Sequence, residues 1–156
     1  MLIYVGADHR GFELKESLKS FLQGRGYVEV VDFGNTKKDT DDDYPDFAAA
    51  VAEKVRRDPE GARGILICGS GAGVDIVANK FPGVRSVLAI SPDQVFDARR
   101  DDDVNVLSIA ADGVELKEAE EMVQIFLSTP FGREERLQRR LEKIAKIERE
   151  LYKEGL

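Results

Sequence analysis

Residues 64–73 read Gly-Ile-Leu-Ile-Cys-Gly-Ser-Gly-Ala-Gly, an apolar run that ends in a cysteine and a glycine-rich loop. Gly69, Gly71 and Gly73 let the backbone turn tightly and aim several N–H groups into one concavity. A helical pattern beginning near Ala72 adds the positive end of its dipole there. Such a nest suits an oxyanion or a phosphate. Cys68 sits on its lip, where that field favours the thiolate, and Ser70 lies within the loop. The letters exclude the usual identities of a glycine loop. No lysine follows until Lys80, so this is not a nucleotide P-loop. A dinucleotide fingerprint needs Gly-x-Gly-x-x-Gly after a first strand, whereas here the spacing is Gly-x-Gly-x-Gly after a third. Val74 stands where a cysteine phosphatase loop wants arginine. The same letters also allow Cys68 to be a small buried apolar side chain beside glycines that only turn the chain.

The only histidine, His9, follows Asp8 and precedes Arg10 where a first strand pattern ends. Position favours a functional role, because polar residues at the carboxyl end of a first strand lie over the expected ligand crevice. A Ser70–His9–Asp8 hydrolase triad is weakly supported, since Ser70 is not in a Gly-x-Ser-x-Gly elbow. Arg136 and Arg140 are four apart and share a helix face, and two guanidinium forks suit a dianionic phosphate. Taken alone, that spacing better fits a solvated face paired with Glu135 and Glu142. The triplets at 41–43 and 101–103 are all aspartate, with no histidine or glutamate in ligand spacing. They read as acidic loops, and neither a metal nor a cofactor is expected.

The elements that must position these residues follow from periodicity. Apolar runs at residues 2–5, 28–32, 64–68, 84–90 and 106–109 lack polar alternation, as parallel strands covered on both faces do. Between them run helical stripes: Leu14, Leu18 and Leu22, then Phe47, Val51 and Val55, then Leu116, Val123 and Phe126. This alternation predicts a doubly wound α/β sandwich with ligands bound just after strands one, three and four. Residues 1–156 read as one domain. After Pro130 a charged helix carries a narrow stripe of Leu137, Leu141, Ile144 and Leu151, which suits packing on a second subunit. The net charge of −7 argues against nucleic acid or an anionic membrane as partner. No apolar run is long enough to span a bilayer. The amino terminus runs straight into a strand pattern, so no cleaved leader is expected. A single cysteine excludes an internal disulfide and fits a reducing cytoplasm.

Taken together, Asp8-His9, Asp43-Tyr44-Pro45-Asp46, the Cys68 loop, Ala78-Asn79-Lys80 and Asn105-Val-Leu resemble the type B ribose-5-phosphate isomerases. Allose- and galactose-6-phosphate isomerases belong to the same group. The resemblance implies a Rossmann-like three-layer sandwich with a five-stranded parallel sheet and a protruding C-terminal helix, over about residues 131–156, at the interface of a homodimer. Whether dimers pair into tetramers stays open. It further implies that Cys68 moves a proton between sugar C2 and C1 with help from Ser70, and that the amides of loop 69–73 stabilise the enediolate. Asp8 and Tyr44 would hold sugar hydroxyls, and His9, Arg136 and Arg140 would meet the phosphate, without a metal or cofactor.

Four positions depart from that pattern. Asp101 and Asp102 stand where the family has histidine and asparagine for ring opening and binding. Asp112 replaces a phosphate-binding arginine, and Leu137 replaces a histidine. Arg10, Arg99 and Arg100 are the candidates to compensate. Asp101 is expected to take over ring opening, because neighbouring acids can make a carboxyl a usable acid/base. The expected reaction is the interconversion of ribose 5-phosphate and ribulose 5-phosphate. Alternatives are isomerisation of a six-carbon sugar phosphate or a less anionic sugar, or a non-catalytic sugar-phosphate-binding domain. A nucleotide-binding stress-type module is more distant.

Overall fold

Five strands, β1 (Leu2–Ala7), β2 (Val30–Asp32), β3 (Ala62–Cys68), β4 (Ser86–Leu88) and β5 (Val106–Ala110), form one parallel sheet in the order β2-β1-β3-β5-β4. The computed structural model describes residues 1–27 and 29–153. Of the second predicted strand, Val28 lies outside them. Helices α1 (Phe12–Gly24), α2 (Tyr44–Arg57), α3 (Ala72–Ala78), α4 (Pro92–Asp102) and α5 (Leu116–Ser128) connect or follow the strands, and α6 (Glu135–Lys153) ends the chain.

Side-chain alternation along β3 explains the three layers. Ile65 and Ile67 enter the core shared with α1, α4 and α5, while Leu66 and Cys68 enter the core shared with α2 and α3. All four are buried, so both sheet faces are covered and the strand reads as an unbroken apolar run. The fold is thus the expected α/β three-layer sandwich, with α6 running on from it.

Two features of the expected arrangement change. The fourth run, residues 84–90, contains only the short strand β4, and α4 follows it. Only Val95, Ala98 and Arg99 of α4 are buried, too few to make an apolar stripe. Its start is nevertheless written locally, with Pro92 in the first turn and the Ser91 hydroxyl accepting from Gln94 N–H at 3.2 Å. The second change is which strand ends meet. β5, not β4, lies beside β3, and β4 is the sheet edge. The loops that meet at the carboxyl end of the sheet therefore follow β1, β3 and β5, rather than the first, third and fourth strands.

A buried lysine ties α1 to β2. Lys15 is fully buried, and its Nζ donates to Asp32 at 2.7 Å and to the Asn35 carbonyl at 2.8 Å. Lys19 donates to the same Asp32 oxygen at 2.6 Å. Burial alone would raise the Asp32 carboxyl, but the bonds from Lys15, Lys19 and Gly34 N–H more than offset it and hold it below its ordinary 3.8. A lowered folded-state value stabilises the fold above the unfolded value and is lost as pH falls through the folded one. Thermal unfolding should therefore show Asp32→Asn less stable than the parent at neutral pH, with the gap narrowing below about pH 4. A gap that stays constant to pH 3 would contradict this linkage.

Candidate active site

The sheet reverses direction of growth between β1 and β3, so a crevice opens at their carboxyl ends. Cys68 is the last residue of β3 and is 4% exposed. The N–H of Gly71 points at its sulfur from 3.2 Å. That geometry depends on the Gly71 backbone, which has φ +72°, a left-handed conformation that costs other residues energy. A side chain there would also strike Leu88 and the backbone of Ala110. Ser70 between them is exposed to the crevice mouth. The Tyr44 ring, carried on the first residue of α2, lies against Gly73, where a Cβ would come within 2.7 Å of it. Asp43-Tyr44-Pro45 works as a helix start, with Asp43 extended at the N-cap.

The β1–α1 loop closes the other side. The Asp8 carboxylate is buried and accepts from the backbone N–H groups of Arg10 and Gly11, each at 3.0 Å. His9 does not face Asp8. Its Nδ1 lies 2.7 Å from Asp42, and its backbone N–H donates to the same carboxylate oxygen at 3.0 Å. The Asn35 amide donates to the second Asp42 oxygen at 3.0 Å. The Ser70–His9–Asp8 triad is therefore not formed, because His9 is bound to Asp42 and Asp8 to backbone amides. The Asp42 side chain is 5% exposed. It fixes the imidazole ring by Nδ1 and leaves Nε2 for a ligand. In the sequence Asp42 lies inside an acidic run, flanked by Asp41 and Asp43. Its signal was a short polar acid between a turn and a helix start, opposite a lone histidine.

Thus Asp8, His9, Tyr44, Cys68, Ser70 and the glycines of loop 69–73 gather at one end of the sheet. Asp101, Asp102, Arg136 and Arg140 gather at the other. α4 ends at Asp102, just before β5 begins, and Arg85, just ahead of β4, holds the carbonyls of Asp102 and Asp103. The approach to α6 is fixed there too, with Gly132 N–H on the Arg100 carbonyl at 2.8 Å and Arg100 3.4 Å from Glu134. Strand β5 separates the two groups by roughly 13 Å of rise. One chain does not bring them together. Asp102, Arg136 and Arg140 are exposed, whereas one Asp101 oxygen is buried without a hydrogen-bond partner among the described residues. The nearest cation to it, Arg100, is 3.9 Å away. Among the described residues no three His, Cys, Asp or Glu side chains converge as metal ligands. Asp103 instead pairs with Arg85 and Arg99.

A thiol with a backbone amide aimed at it, an imidazole and a phenol at the switch point of a doubly wound sheet define an α/β protein that takes a small polar ligand at its strand ends. The chain belongs to the Ribose/Galactose Isomerase family, whose pattern matches residues 3–144. It is 40% identical over 149 residues to ribose-5-phosphate isomerase B of Mycobacterium tuberculosis, covering 96% of this chain and 91% of that one. The Escherichia coli K12 protein of the same name is 40% identical over 94% of this chain and 95% of its own length. The crystal structure of the Mycoplasma genitalium ribose-5-phosphate isomerase B, with bound ribulose-5-phosphate, superposes with a TM-score of 0.91 at 40% identity. It covers 95% of this chain and 96% of the other.

Proposed function

We propose that this protein is an aldose–ketose isomerase that interconverts ribose 5-phosphate and ribulose 5-phosphate by proton transfer between C2 and C1 through Cys68. The observation that carries this reading is the buried Cys68 sulfur with the Gly71 N–H aimed at it, on the floor of a crevice whose relatives are named for that reaction. In the open-chain sugar, the thiolate takes the C2 proton. The electron pair moves into the C1–C2 bond and leaves the charge on O1, where amides of the 69–73 loop stabilise it. The thiol returns the proton to C1 while Ser70 assists proton movement between O2 and O1. Asp8 and Tyr44 hold the sugar hydroxyls, and His9 faces the phosphate.

Asp101, Asp102, Arg136 and Arg140 act on the crevice of a second copy, so the working unit is a homodimer. Their separation from Cys68 within one chain supports this. So does the apolar surface left open on Ile144, Ile147 and Leu151 of α6, and on Ile90 just past β4. Asp101 opens the furanose ring by taking the proton of the anomeric hydroxyl. Its unpartnered carboxyl oxygen is the kind of group that awaits a ligand hydroxyl. No helix of the described residues is long and apolar enough to cross a membrane. With the free cysteine, this supports a cytoplasmic enzyme.

A coupled isomerase assay with EDTA present, offering ribose 5-phosphate beside allose 6-phosphate, galactose 6-phosphate and unphosphorylated pentoses, tests the reading. Ribose 5-phosphate should turn over fastest. Preference for a six-carbon or unphosphorylated sugar would mean that Asp112 marks a changed specificity, since Leu137 is buried in its own chain and not on the ligand-facing or partner-facing surface. Silence on all would leave a binding protein.

A further inference from the structure

Arg10 stands beside His9 on the β1–α1 loop, and its guanidinium lies directly over Gly69. A side chain at position 69 would collide with it, so this glycine leaves room for the arginine. Arg10 pairs with Asp112 through Nη2. Arg10 is anchored within its own loop, and Asp112 is anchored to the Cys68 loop. The Arg10 N–H is held by Asp8 at 3.0 Å. The Asp112 N–H donates to the Gly69 carbonyl at 3.1 Å, and the Ala111 N–H donates to the Cys68 carbonyl at 2.9 Å. The pair therefore straddles the loop after β3 from the loops after β1 and β5. Arg99 and Arg100 do not reach it. Arg99 is buried, with Nη1 committed to Asp103 and the Val104 carbonyl and Nε to Thr129. Arg100 sits at the amino end of the sheet beside Glu134.

We propose that Arg10 is a phosphate-contacting residue of this crevice, and that Asp112 is its positioning partner. The proposal rests on the sugar-phosphate reading above. A guanidinium presents five N–H donors in a rigid fork, and Asp112 engages only one edge. The side chain is about half exposed (56%), between Gly69 on one side and an opening lined by Glu13, Leu14 and Ala111 on the other. Of the nearby acids, Asp8 holds two backbone amides through one oxygen, Asp42 holds His9 and Asn35, and Glu13, beside Arg10, lies 4.0 Å from Lys38. An acid at position 112 would repel a phosphate if it stood alone. Paired to Arg10, it fixes the fork and is itself neutralised, so the crevice keeps an oriented cation despite the net negative charge of the chain.

The decisive feature is the sign of the effect at position 112. Arg10→Ala should raise KM for ribose 5-phosphate about tenfold or more and weaken competitive inhibition by inorganic phosphate in parallel, with the loss concentrated in KM. Arg10→Lys should recover part of it. Asp112→Asn should raise KM severalfold, because the fork is released, and Asp112→Glu should restore binding. The exchanged pair, Arg10→Asp with Asp112→Arg, should bind phosphate better than either single change. A fall in KM on Asp112→Asn, or an unchanged KM on Arg10→Ala, would overturn the proposal. If the parent protein isomerises no sugar phosphate, the function reading fails separately. Calorimetric titration of parent and Arg10→Ala protein with inorganic phosphate then decides the binding role: equal affinities, or no binding to either, reject it.

Discussion

Cys68→Ala should lower kcat on ribose 5-phosphate by about 10³–10⁴-fold while leaving the affinity for the sugar phosphate within a few-fold of the parent. The sulfur is buried in the crevice under the Gly71 N–H, while the His9 imidazole is turned to Asp42 through Nδ1. Ser70 is exposed at the mouth, and the carboxylates of Asp8 and Asp42 are occupied by backbone amides, His9 and Asn35. Alanine removes the base and keeps the loop, because the Gly71 turn is set by its own φ and not by the thiol. Isothermal titration separates this outcome from unfolding: binding with no turnover supports the base, whereas retained turnover would move the chemistry to another residue. Loss of binding together with turnover would mean that Cys68 matters only as core packing between β3, α2 and α3.

Asp101→Asn should slow turnover of the cyclic sugar by about 10²-fold, with a much smaller effect on an open-chain substrate analogue. An amide keeps the shape and one acceptor but cannot take a proton, so ring opening suffers and the later proton transfer at C2 does not. Equal losses on both substrates would remove Asp101 from that role. The same variant tests the two-chain site. If Asp101 serves the partner's Cys68, mixing Cys68→Ala and Asp101→Asn protein regenerates one intact site in every mixed dimer. Equal mixing makes half the dimers mixed, so about a quarter of the parent activity should return. No recovery after verified subunit exchange would place both residues in one chain's site, against the separation imposed by β5.

The fold was legible where burial on both faces forces a continuous apolar run. Ile65–Ile67 and Val106–Ile109 are such runs, and both become central strands. It was less legible at α4, whose buried side is two small apolar residues and an arginine, so periodicity carries almost no signal there. Strand order was also out of reach of pattern. Both β4 and β5 are short apolar runs, and which lies beside β3 is decided by packing of α4 and α5 on the common core. At the site, residue type and position pointed to Cys68, the glycines, Asp8 and His9, and the family resemblance added Tyr44. The sequence did not reveal how the acids are used. Asp42 looks like its neighbours Asp41 and Asp43 in the letters, yet it alone turns inward to His9. Asp112 looks like a lost phosphate contact until Arg10, more than a hundred positions away, is found beside it.

The most direct test of proton transfer by Cys68 is isomerisation of ribose 5-phosphate in deuterium oxide, followed by NMR of the ribulose 5-phosphate formed. Transfer through an enediolate and an exchangeable thiol should place solvent deuterium at C1 of the product, and the Cys68→Ala protein should show neither turnover nor exchange. Product formed by the parent with no deuterium at C1 would contradict a thiol that exchanges with solvent during transfer, and full activity in Cys68→Ala would contradict the assignment of the base.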